Sequence, residues 1–136
     1  MRTVFVITVL VSATSAYAGT PECDNAIAGA NNTAIVLMHE IDWINKFDSD
    51  HHAEQVAGHL TRSDATELVM RMTFVIKSGN VTMDFIRSII ENGCGPPTSE
   101  AEWRKFNGFL SKKLPTIDAE RAKIQSQYDI SVPKRE

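Results

Sequence analysis

A chain of 136 residues has room for one domain with a modest core and not for two of ordinary size. Its formal charge of −3 and its lack of a basic run speak against nucleic acid or an anionic membrane as partner, because both call for clustered Lys and Arg. No stretch reaches the about 20 apolar residues that a bilayer span needs, so no membrane span is expected in the mature chain.

Residues 1–18 have the three parts of a secretion signal: Arg2 as the positive start, an apolar run from Val4 to Val11, and the small-residue site Ala16-Tyr17-Ala18. Cleavage there leaves residues 19–136 as a single secreted domain, extracellular or periplasmic. That domain has 118 residues, and loss of Arg2 takes its charge to −4. In an oxidising compartment its two cysteines, Cys23 and Cys94, are expected to pair.

The expected fold class is all-α: a compact bundle of about five to six helices around a long first helix, stapled by that disulfide. The first helix spans Thr20 to Phe47, where Thr20 caps, Pro21 takes the first helical position and Glu22 complements the dipole. Cys23, Ile27, Ala30, Ala34, Leu37, Ile41 and Ile44 alternate steps of four and three, which draws one apolar stripe. Val36, Trp43 and Phe47 lie off that stripe, so this helix needs cover on a second side.

A short second helix is expected over His51 to Leu60, burying Ala53, Val56, Ala57 and Leu60. A third, capped by Ser63 or Asp64, carries Ala65, Leu68, Val69, Met72, Val75 and Ile76 and stops at Ser78-Gly79-Asn80. A fourth runs from Val81 or Thr82 to Glu91, closed by Asn92-Gly93. After the irregular Cys94-Gly95-Pro96-Pro97, Ser99 with Glu102 forms a capping box for a fifth helix bearing Trp103, Phe106, Phe109 and Leu110. Leu114-Pro115 marks a break before a sixth helix, Thr116 to Tyr128, and residues 130–136 form a flexible polar tail.

Motifs for chemistry are scarce. His39-Glu40-Ile41-Asp42 lacks the second histidine of a zinc-protease helix, since Trp43 stands in its place. No nucleophile elbow or glycine-rich phosphate loop occurs, so neither an enzyme nor a cofactor is expected. His51, His52 and His59 with Asp48 and Asp50 are candidate metal ligands, although His52 and His59 sit two turns apart. Asn31-Asn32-Thr33 and Asn80-Val81-Thr82 match the glycosylation pattern at Asn31 and Asn80.

The helical layout resembles that of insect odorant-binding proteins in architecture. Those proteins have more disulfides at a close cysteine spacing that this chain lacks, so their ligand cavity is not carried over. The expected function is a non-enzymatic, secreted or periplasmic protein binder of the inhibitor or immunity-protein type, which acts by occluding its partner. Val36, His39, Trp43, Phe47 and Trp103 are its candidate contact residues, with another protein or a second copy of the chain as partner. The alternative is a carrier whose Met38, Met70, Met72, Phe74 and Met83 enclose a small apolar ligand, and the third is metal binding through the histidines.

Overall fold

The computed structural model describes residues 20–131, so the expected signal segment and residues 132–136 of the expected tail lie outside the described residues. Thr20 is extended and its Oγ1 accepts the Cys23 N–H at 3.2 Å; with Pro21 at the first position this opens α1, Pro21–Asp50. Then come a short α2, His52–Ala57, and two long helices, α3, Arg62–Glu91, and α4, Pro97–Gln127. Every regular element among the described residues is helical, and they number four rather than five to six.

The count falls because two expected breaks are absent. α3 runs on through Ser78-Gly79-Asn80, and α4 runs on through Leu114-Pro115. Gly79 is buried, and a β-carbon there would lie 2.7 Å from both methyls of Leu114. The glycine is thus a seat for a side chain of the neighbouring helix rather than a terminus. Pro115 points to solvent while Leu114 and Ile117 are buried on either side of it. A break at the proline would pull both from the core, which outweighs the ladder bond it removes.

Cross-helix contacts set the topology. Gly29 faces the Phe85 ring, Thr33 meets Thr82 and Glu40 meets Arg71, so numbers rise along α1 as they fall along α3. The pairs Met83 with Ser111, Gly79 with Leu114 and Thr73 with Arg121 run the same way between α3 and α4, and Leu60 with Tyr128 continues the series just beyond their ends. Both long partners pack antiparallel on α3, which replaces the first helix as the element around which the bundle is built. One continuous core results, with Leu37, Leu68, Met72, Val75, Ile86 and Leu110 fully buried.

Helix ends include one terminus as expected and two further departures. α3 closes with Gly93 left-handed, its N–H on Ile90 O at 3.2 Å and the Cys94 N–H on Ile89 O at 2.9 Å. Cys94 is thereby held against the first turn of α1 and is disulfide-bonded to Cys23. Such a bond is consistent with an oxidising compartment. α4 begins at Pro97 with Pro96 before it, so Ser99 is a buried residue of the first turn rather than the cap. At the other end Asp129 is left-handed and the Ile130 N–H reaches Gln125 O at 2.9 Å. Ile130 is buried, and the expected tail does not start there.

α2 buries none of its residues, contrary to the expected Ala53, Val56 and Ala57 face, and Val56 is 75% exposed. Six residues are too few to form a second layer. The segment is held instead by Gln55 donating to Asp48 at 3.0 Å, by the His51 ring on Phe47 and, just beyond it, by buried Leu60, whose N–H donates to the Tyr128 hydroxyl at 3.0 Å.

Thr33 and Thr82, which complete the two glycosylation patterns, are used inside the bundle. Their hydroxyls lie 2.7 Å apart, with Gly29 O 2.8 Å from Thr33 Oγ1 and Ser78 O 2.8 Å from Thr82 Oγ1. Whichever hydroxyl donates across, the other donates to its own helix, so loss of one leaves its partner satisfied. Thr82→Val and Thr33→Val are each expected to lower stability by about 1 kcal/mol in urea unfolding. The double variant should cost clearly less than the sum of the two, and strict additivity would show that the hydroxyls share no bond.

Candidate functional site

The α1/α3 face holds the most developed surface feature. On α1, Trp43 stacks on Phe47 with centroids 5.2 Å apart, and Phe47 stacks on His51 at 4.3 Å, one helical turn per step. From α3, Arg71 lays its guanidinium 4.1 Å from the centre of the Trp43 ring. One of its terminal nitrogens donates to both Glu40 oxygens, at 2.9 and 3.2 Å, while Nε and the other terminal nitrogen both reach Glu67 Oε1 at 3.2 Å. Partial burial works against the charge of Arg71, but hydrogen bonds and attraction from Glu40 and then Glu67 outweigh it and raise its pKa. The cation is therefore fixed, and with it the position of Trp43.

Beside this cluster lies an open groove of about 750 Å³ bounded by Glu40, Arg62, Thr66, Glu67, Arg71 and the apolar side chains Met70 and Phe74. Met70 is 62% exposed and Phe74 44% exposed, and they lie one turn apart on α3, on the side away from the core. Val36, one turn before Glu40 on α1, is 47% exposed. An apolar floor with a charged rim can accept apolar side chains of another molecule and orient them by polar contacts at the edge.

Of the residues expected to contact a partner, Val36 and His39 are exposed, Trp43 is half-buried under Arg71, and Phe47 and Trp103 are buried in the core. Phe47 and Trp103 are large apolar residues on the inward sides of α1 and α4, where packing claims them. The methionines expected around one cavity are dispersed: Met72 is fully buried, Met38 and Met83 are half-buried against the core, and Met70 with Phe74 opens to solvent.

Three of the five expected metal ligands have other partners. Asp48 accepts from Gln55, Asp50 pairs with Lys46 at 2.9 Å, and His51 pairs with Glu54 at 3.1 Å while resting on Phe47. His52 and His59 are exposed, and among the described residues no three His, Cys, Asp or Glu side chains converge. A smaller hollow of about 270 Å³, which His52 lines with Gln55, Val56, Glu120, Lys123 and Gln127, separates α2 from the end of α4. Partial burial and then the charge of Asp48 raise the Glu120 carboxyl above its usual range, with Lys113 and Lys123 opposing.

Met70 and Phe74 stood out in the sequence only as cavity residues. Their exposure was readable from spacing, since a stripe through Ala65, Leu68, Met72 and Val75 turns positions 70 and 74 outward. The Glu40–Arg71–Glu67 cluster had no such signal, because Glu40 and Arg71 are 31 residues apart and meet only when α1 and α3 pair. No family model matches this chain, and no curated protein or solved structure is significantly similar to it.

Proposed function

We propose that this chain is a secreted, non-enzymatic protein-binding domain that docks a partner protein on its α1/α3 face. The observation that supports it is the exposed pair Met70 and Phe74 beside the groove, next to an arginine already locked by two carboxylates. Large apolar side chains left in water one turn apart are costly to keep unless something covers them. The rigid helices and the preset Arg71 lower the ordering cost that docking carries. Secretion is supported by the leader-like segment ahead of Gly19 and agrees with the Cys23–Cys94 bond.

The test places a photo-crosslinking phenylalanine analogue at position 74 in the protein made by its native host, with illumination before extraction. A protein adduct is expected from position 74 and not from Ala122, which is exposed on α4. Equal labelling from both positions, or none from either, would refute docking at this face.

A further inference from the structure

From the outer side of α3 we infer that the partner of this face is a second copy of the chain, paired antiparallel through α3. This names the occupant of the docking face proposed above and rests on that proposal. Ser63, Glu67, Met70, Phe74, Lys77 and Val81 are all exposed and follow one another at alternating steps of four and three. That is the spacing of a helix seam that meets another helix along its length. α3 therefore carries two seams, one filled by α1 and α4 and one without a covering element among the described residues.

The charges in the outer seam select one pairing. In an antiparallel pair with its two-fold axis between Met70 and Phe74, Met70 of each copy lies against Phe74 of the other. Glu67 of each copy then lies against Lys77 of the other, and Ser63 against Val81. Two apolar pairs are flanked by two pairs of opposite charge, and each contact occurs twice, as an isologous interface requires. A slip that sets Met70 against Val81 brings Glu67 to Asp84, two like charges. A parallel pair sets Lys77 on Lys77 and Glu67 on Glu67. Of the three arrangements only the first is electrostatically self-complementary.

Both charged partners are free to serve. Lys77 is in no ion pair among the described residues, and Arg71 occupies only one oxygen of Glu67, which leaves Oε2 open. The two cannot satisfy each other within one chain, because ten residues of helix hold them about 15 Å apart. The shared length, residues 63–81, is about 28 Å of helix, a small interface, so the dimer is a weak and reversible one.

Sedimentation of the mature chain across about 1 to 500 µM tests this by mixing charge variants. The wild-type chain should show a monomer–dimer equilibrium, and Phe74→Glu should weaken it about 100-fold or more. Glu67→Lys and Lys77→Glu, each alone, face two like-charge pairs and should weaken it about tenfold. Mixed in equal amounts, those two variants pair opposite charges at both sites and should recover dimer that neither forms alone. Failure of the mixture to recover, or a dimer indifferent to position 74, overturns the seam. A chain that stays monomeric throughout while the analogue at position 74 captures a different protein overturns the dimer and leaves the docking face standing. No dimer and no adduct overturns both.

Discussion

The double variant Cys23→Ala/Cys94→Ala is expected to be less stable than the parent by about 4 kcal/mol. The bond joins residues 71 apart, and both cysteines are buried, one in the first turn of α1 and the other just past the end of α3. In the chain-entropy account, closing a loop of that length removes much of the freedom of the unfolded chain, and the saving grows only slowly with further length. The folded state also loses the covalent clamp between the start of α1 and the end of α3. A loss of this size is a large share of the roughly 5–15 kcal/mol that holds a small domain together. Urea unfolding of parent and variant, each with and without reductant, is the measurement. Reductant should move the parent midpoint down to that of the variant and leave the variant unchanged. A parent midpoint that ignores reductant would show that the bond contributes nothing.

Gly79→Ala should also destabilise, by about 2 kcal/mol, although alanine is the better helix former by about 1 kcal/mol. A β-carbon at position 79 would come within 2.7 Å of both Leu114 methyls and 3.2 Å of its branch carbon. Leu114 is buried, so α3 and α4 must separate or the leucine must shift within a close-packed core. Phe85 over Gly29 is similarly close on the α1 side, but its ring is only half-buried and can yield at smaller cost. Combining Gly79→Ala with Leu114→Ala separates packing from propensity. The new methyl partly fills the space the leucine vacates, so the double variant should be more stable than the sum of the single losses predicts. A stabilised Gly79→Ala chain would mean that the two helices do not approach this closely.

Local chemistry in the sequence sufficed for the helical class, for the inward stripes of α1 and the first half of α3, for the Thr20 cap, for the Gly93 terminus of α3 and for the cysteine pairing. Each depends on residues a few positions apart or, for the disulfide, on there being just two cysteines. Where helices stop was a different matter. Gly79 and Pro115 are breakers by propensity, worth about 1 and 3 kcal/mol, and the burial of their neighbours against another helix exceeded both. The same long-range term buried Phe47 and Trp103, left Met70 and Phe74 outside, turned the threonines of two glycosylation patterns toward each other, and brought Arg71 onto Trp43. Those outcomes depend on which helices meet and in what register, and that is set by the summed packing of the whole core rather than by any window of sequence.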